Sequence, residues 1–192
     1  GNRGLFDGLD ISGTHSSSAL AQLLDTPVIL VVDCTKTTRT VAALVRGCLD
    51  FDPELRIAGV ILNRIGGRRH RQIVTEAIEK YNGLPVLGAI PKLDKKKRLI
   101  PDRHLGLVPP SEFAAEGALL QELGSIGNEY LDIDRILAIA RDVEPLPEFA
   151  GKATAPARAE VRVGYFCDPV FTFYYPENLE ALTAAGAKLV PI

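Results

Sequence analysis

Val28-Ile29-Leu30-Val31-Val32, introduced by Pro27, is an apolar run rich in β-branched residues and free of polar alternation, the pattern of a strand buried on both faces of a parallel sheet. From Thr35 to Leu49 the apolar residues Val41, Leu44, Val45 and Leu49 fall close to helical spacing, and Asp52-Pro53 stops the helix. Ile57-Ala58-Gly59-Val60-Ile61-Leu62 is a second buried strand. Arg68 to Lys80 is a helix with Ile73, Val74, Ala77 and Ile78 on one side and Asn82-Gly83 as its C-terminal signal. Pro85-Val86-Leu87-Gly88-Ala89-Ile90 makes a third strand, ending at Pro91. Strand and helix alternating with short connections is the arrangement of α/β proteins with a parallel sheet flanked by helices and right-handed crossovers.

Outward from this centre the texture changes. Lys92 to Pro110 is rich in charge and proline and long for a connection, which points to a functional loop or lid. Two helical segments follow, Ser111 to Leu123 and Asp132 to Val143, the first with a polar cap near Ser111. A Pro/Ala-rich stretch from Glu144 to Ala157 reads as an interdomain linker. Then a new βαβ unit begins: strand Val161 to Phe166, helix Pro176 to Ala185 with proline near its first position, strand Lys188 to Ile192. At about thirty residues it is too short to hold a core alone. The expected organisation is therefore a main domain over 1–143, a linker over 144–160 and the start of a second α/β domain over 161–192.

The chain has 192 residues and no methionine, and it opens on Gly1-Asn2-Arg3-Gly4, so processing or cutting from something longer is expected. Its composition, 46% hydrophobic and 24% charged with mean hydropathy +0.10, excludes disordered and collagen-like classes. A formal net charge of -2 gives no general attraction to nucleic acid or to an anionic membrane, so any polyanion site must be local. The longest apolar run falls far short of the roughly 20 residues of a membrane span, and no apolar signal segment opens the chain. Cys34, Cys48 and Cys167, odd in number and widely spaced, suit a reducing cytoplasm better than a disulfide scaffold. His15, His70 and His104 share no metal-ligand spacing, and no cysteine sits in a nucleophile elbow.

Ligands of open parallel sheets bind beyond the carboxyl ends of the strands, which nominates three segments. Asp33-Cys34-Thr35-Lys36-Thr37-Thr38 sets Thr and Lys at a helix N-terminus, where Lys36 is either an anion contact or a solvated lysine beside a cap. Asn63-Arg64 could read a base edge and grip a phosphate, or simply end a strand. Pro91-Lys92-Leu93 is the third. Gly1 to Gly8 is a glycine-rich loop whose one acid, Asp7, either holds Mg²⁺ near phosphates or sits in a plain turn. Lys95-Lys96-Lys97-Arg98 reads first as a solvated face. The P-loop pattern G-x-x-x-x-G-K-S/T does not occur in the chain.

Five strings in order resemble the cobyrinic acid a,c-diamide synthase family: Gly4-Leu5-Phe6-Asp7-Gly8; Gly59 to Gly66 with His70 following; Pro85 to Pro91; Arg103-His104-Leu105-Gly106-Leu107-Val108-Pro109; and Phe173 to Leu179. The synthetase part is more distantly similar to dethiobiotin synthetase, with a P-loop NTPase-like sheet. The resemblance implies an amidoligase that uses ATP and Mg²⁺ to phosphorylate a carboxylate of a corrinoid tetracarboxylate-type substrate. A glutamine amidotransferase domain of class I type then supplies ammonia to displace the phosphate. Carried over by position, Asp7 is the catalytic and metal-binding acid. Asn63, with Arg64 beside it and the Pro91 to Leu93 backbone against the base, is on the adenine side; Lys36 contacts phosphate or substrate, and Arg103 and His104 contact substrate.

The family's phosphate-binding loop and a magnesium-binding glutamate are expected upstream of Gly1, and the amidotransferase Cys, His and acid downstream of Ile192. The chain by itself is therefore expected to be a catalytically inert internal fragment with little ATP affinity. Hydrogenobyrinic acid or a nickel-sirohydrochlorin are alternative substrates, and a non-catalytic nucleotide-binding regulatory module is the alternative of another class. Self-association as a homo-oligomer through an open sheet edge is a further expectation.

Overall fold

A computed structural model describes residues 4–93, 102–103, 106–107, 116–145, 161–168, 171 and 174–192. The chain divides into two units, Gly1–Leu99 with Leu120–Pro145, and Ile100–Leu119 with Leu146–Ile192.

In the first unit, α1 (Ser17–Leu23) precedes β1 (Val28–Asp33), α2 (Arg39–Phe51), β2 (Ile57–Ile65), α3 (Arg68–Asn82) and β3 (Val86–Pro91). The three strands form one parallel sheet in chain order, with Leu30 opposite Val60 and Val32 opposite Leu62. Register puts these four side chains on one face, and they join a single buried cluster with Val41, Ala42 and Val45 of α2 and Val74, Ala77 and Ile78 of α3. Burying each large aliphatic contributes about 1.5–3 kcal/mol, so this face carries most of the unit's stability. Gly83 closes α3 in the left-handed conformation, φ 67°, its N–H donating to the Glu79 carbonyl.

On the side of β3 away from β2, the chain at Leu131 bridges the strand antiparallel, opposite Gly88. There α4 (Glu116–Tyr130) passes into α5 (Ile133–Arg141), Asp132 N–H donates to the Leu87 carbonyl at 2.8 Å, and the Asp132 carboxylate caps α5 through Arg135 N–H at 3.1 Å. Gly88 permits this approach, because a Cβ on it would stand 2.5 Å from Leu131 Cδ2 and 2.8 Å from the Tyr130 carbonyl oxygen. β1 lies at the opposite edge of the sheet. Val31 is 63% exposed while Leu30 and Val32 are buried, so β1 is buried on one face and not on both as its uniform apolarity suggests.

Two further departures have local causes. The helix expected from Thr35 starts at Arg39, because Asp33 Oδ1 accepts the Thr35 N–H at 2.8 Å and Lys36 turns left-handed at φ 55°. An Asx turn of this kind competes with helix for the same backbone groups. Helix α1 was not expected at all; Ser16 caps it, its Oγ accepting Ala19 N–H at 3.1 Å and sharing a 2.9 Å hydrogen bond with Ser18.

Within the loop expected over Lys92 to Pro110, β4 (Asp102–Arg103) and β5 (Gly106–Leu107) form an antiparallel pair. In the second unit β6 (Val161–Tyr165) and β7 (Ala187–Pro191) pair in parallel without a register shift, joined through α6 (Pro176–Ala184), whose first turn contains Pro176. Among its described residues no apolar side chain is buried, in keeping with a βαβ unit too small for its own core. The linker reading over 146–160 lies outside the described residues.

Burial also decides cysteine reactivity. Cys34 is buried and Cys48 half-buried, and burial pushes both thiols up from their ordinary value, whereas Cys167 is exposed. Since the thiolate is the nucleophile, iodoacetamide at near-neutral pH is expected to modify Cys167 in the folded protein and Cys34 only after unfolding. Peptide mass mapping checks this; equal labelling of the two would contradict the burial of Cys34 in the core just past β1.

Candidate functional site

The carboxyl ends of β1, β2 and β3 lie side by side, and the segments leaving them are fastened to one another. Cys34 N–H donates to the Asn63 carbonyl at 2.9 Å and Lys92 N–H to the Ile65 carbonyl at 3.0 Å. Asp33 leaves β1 with Oδ1 on the Thr35 N–H and Oδ2 accepting Arg64 Nη1 at 2.9 Å. Hydrogen bonds from Thr35, with the Arg64 charge behind them, hold its carboxyl below the usual carboxylate range. Asn63 Oδ1 accepts the N–H of Arg64 at 2.9 Å, and Arg64 sits left-handed at φ 59°. Two non-glycine residues in that conformation, Lys36 and Arg64, each cost about 1–2 kcal/mol, a concentration of strain typical of functional sites.

His70, in the first turn of α3, joins two of these loops. Its Nδ1 accepts the Gly66 N–H at 2.9 Å and its Nε2 contacts the Thr37 carbonyl. A backbone N–H only donates and a carbonyl only accepts, so the ring is neutral with its proton on Nε2. His70 is thus a clasp between the β1–α2 and β2–α3 connections.

Around this clasp opens a cleft of about 710 Å³, walled by Thr35 to Thr38, Arg64 and the Gly66 to His70 turn, with Ile73 and Lys92 completing it. No acidic residue among the described residues lines it. Arg64 is paired with Asp33, but Lys36, Arg68, Arg69 and Lys92 have no carboxylate partner among the described residues. Both helices that begin here lack a side-chain cap bond and any acid in the first turn, and α3 instead starts Arg68-Arg69. Cations at a helix N-terminus oppose the helix dipole. The local field is strongly positive on a chain whose net charge is -2.

Of the residues nominated from sequence, Lys36 and Arg64 line the cleft, Asn63 precedes Arg64, and Pro91 and Leu93 flank Lys92. Asp7 does not line it. Its Oδ2 accepts the Gly4 N–H at 2.9 Å and closes the glycine-rich loop, where a Cβ on Gly4 would stand 2.5 Å from that oxygen and one on Gly8 2.3 Å from the Thr14 carbonyl. Arg103 lies in β4, while His104 lies outside the described residues. Arg68, Arg69 and His70 were not nominated as ligand contacts, and Lys92 only through its backbone; two arginines opening a helix against its dipole were the available signal.

No group of three or more His, Cys, Asp or Glu that could hold a metal occurs among the described residues. Mg²⁺ is often held by one or two carboxylates completed by phosphates and water, so the exposed Asp7, whose Oδ1 has no hydrogen bond among the described residues, fits as a partial ligand. Among the described residues no helix is long and apolar enough to cross a membrane.

A family model described as an AAA domain matches residues 8–98, a match that goes with nucleotide binding. Over its whole length the chain is similar to cobyrinate a,c-diamide synthases: 45% identical to that of Magnetococcus marinus and 42% to that of Listeria monocytogenes, covering 42% of each relative. The synthase of Methanosarcina acetivorans is 40% identical over 99% of this chain and 40% of its own length. The chain thus spans less than half the length of these curated relatives, and no solved structure matches it. The resemblance carried by the five sequence strings holds along the whole chain.

Proposed function

From that whole-length likeness to the cobyrinate a,c-diamide synthases, we propose that this chain carries the nucleotide side and part of the substrate side of an ATP- and glutamine-dependent amidoligase acting on a corrinoid polycarboxylate. A carboxylate is a poor acyl donor. Transfer of the γ-phosphoryl group of ATP to its oxygen gives an acyl phosphate and ADP, and ammonia released from glutamine then attacks the acyl carbon and expels inorganic phosphate. The chemistry that Mg²⁺ supplies when bound is charge neutralisation on the phosphates.

Under this reading Asn63 presents its amide to the adenine edge, with the Pro91 to Leu93 backbone beside the base. Asp7 serves the metal and phosphate side from a loop that its own hydrogen bond to Gly4 keeps in shape. Lys36 and Arg64 bring positive charge to the carboxyl ends of β1 and β2, Arg64 with its orientation set by Asp33. Arg103 and His104 are assigned to substrate contact.

The test is to express the reading frame that carries this sequence and supply cobyrinic acid, ATP, Mg²⁺ and glutamine. Stepwise loss of about one mass unit per converted carboxylate, with stoichiometric ADP and glutamate, is expected. Nucleotide binding with no glutamate released and no mass change overturns the amidoligase reading in favour of a nucleotide-binding module. Activity confined to another tetrapyrrole, such as hydrogenobyrinic acid, narrows the substrate instead.

A further inference from the structure

We propose that Asn82 is a spontaneous deamidation site that the native end of α3 holds shut, so that its conversion follows opening of the α2–α3 contact and then keeps that contact from re-forming. Of the asparagines Asn2, Asn63, Asn82, Asn128 and Asn178, Asn82 alone is followed by glycine. Cyclisation of asparagine needs the backbone nitrogen of the next residue to reach the side-chain carbon, and a side chain on that residue stands in the way; glycine has none. Arginine, glutamate or leucine follows each of the others. The only co-reactant is water. The Gly83 nitrogen, its proton lost to hydroxide, attacks Cγ of Asn82; the bond from Cγ to Nδ2 breaks, and the amide leaves as ammonia with a proton from water. One water then opens the cyclic imide to aspartate or isoaspartate.

The fold withholds both reacting atoms. The Gly83 N–H donates to the Glu79 carbonyl at 3.1 Å, with Gly83 left-handed at φ 67°. Asn82 is the last residue of α3, and its Nδ2 donates to the Ala42 carbonyl of α2 at 3.0 Å. A carbonyl only accepts, so the amide nitrogen is the atom that faces it. The nucleophile is thus tied to its own helix and the electrophile to its neighbour, and both ties must break before the two atoms can meet. The same arrangement rejects the product. Oδ1 of Asn82 is shut off from solvent and has no hydrogen-bond partner among the described residues. A carboxylate there has no proton to donate, so one oxygen would meet the Ala42 carbonyl and the other would enter the enclosed place of Oδ1 without a donor. A negative charge at the C-terminal end of α3 also opposes the helix dipole.

The test is parallel incubation, in one near-neutral buffer, of the folded chain, the chain in guanidinium chloride and its tryptic peptide Tyr81–Lys92, with the amide-to-acid mass change at each asparagine followed by peptide mapping. In the denatured chain Asn82 is expected to convert ahead of every other asparagine, at a rate close to that of the peptide. In the folded chain its conversion is expected to be slower by about tenfold or more, the ratio that an opening free energy of about 1.4 kcal/mol gives. Equal rates in the folded chain and the peptide overturn the protection by α3, and a rate in denaturant no higher than that of the other asparagines overturns the site. Asn82→Asp carries the product directly and is expected to unfold at a lower denaturant midpoint than the parent; an equal midpoint overturns the loss of the α2–α3 contact. Gly83→Ala blocks cyclisation and decides the matter where Asn82→Asp does not fold, since a Cβ at Gly83 meets nothing within 4 Å. After long storage in denaturant the parent should lose its refoldable fraction in step with Asn82 conversion while Gly83→Ala keeps its own. Equal decay of the two overturns the proposal.

Discussion

Leu62→Ala is expected to lower the stability of the sheet unit by about 3 kcal/mol, read as a fall in the urea midpoint of β2 at unchanged slope. Leu62 is fully buried near the carboxyl end of β2, opposite Val32 on one side and Ala89 on the other. Truncation removes the transfer free energy of its methyl groups and leaves a cavity that β1, β3 and two helices hold open. Against a typical domain stability of about 5–15 kcal/mol the loss is large. Because the site lies just ahead of Asn63, the variant should also lose order in the loops of the cleft. A midpoint shift equivalent to less than about 1 kcal/mol would show that the packing around Leu62 is looser than its zero exposure implies.

His70→Ala should have the second largest effect, a loss of about 2 kcal/mol together with accelerated hydrogen exchange at Gly66. The ring satisfies a donor on one loop and an acceptor on another, and each unsatisfied group costs about 1–3 kcal/mol where water cannot replace the partner. His70→Gln retains an amide that can serve one of the two, so part of the loss should be recovered. Nitrogen-15 shifts of the ring give the direct readout: Nδ1 should resonate as an unprotonated nitrogen and Nε2 as a protonated one. The reverse tautomer would sink the clasp.

The central α/β pattern is legible because its periodicities are long and its stops are explicit. Val28 to Val32, Ile57 to Leu62 and Pro85 to Ile90 read as strands, and Gly83 ends α3 where its position after Asn82 places it. Local hydrogen bonding hid the true start of α2, since nothing in the string Asp33 to Thr38 declares that the Asp33 carboxylate will claim the Thr35 N–H. The exposed face of β1 was hidden for a different reason. Val31 is as apolar as its neighbours, and only the tertiary structure decides which of them is covered.

The site divides in the same way. Lys36, Asn63 and Arg64 could be nominated because the carboxyl end of a strand is a position one can find in a sequence. Lys92 could be placed there through its backbone only, and Arg68 and Arg69 look like ordinary exposed residues of a polar helix. Their meaning comes from three chain segments meeting, which no single window contains.

The strand order of the first unit bears on how the chain reaches this structure. Each parallel pairing joins neighbours in sequence, β1 with β2 and β2 with β3, across a single helix of a unit about 30 residues long. No strand has to wait for a distant segment before it can pair, so the loop-closure entropy that slows many parallel sheets is modest here. Assembly can therefore proceed in the direction of synthesis, one strand and one helix at a time. The cleft at the carboxyl ends is complete only when Lys92, the last of its cations to emerge from the ribosome, is in place.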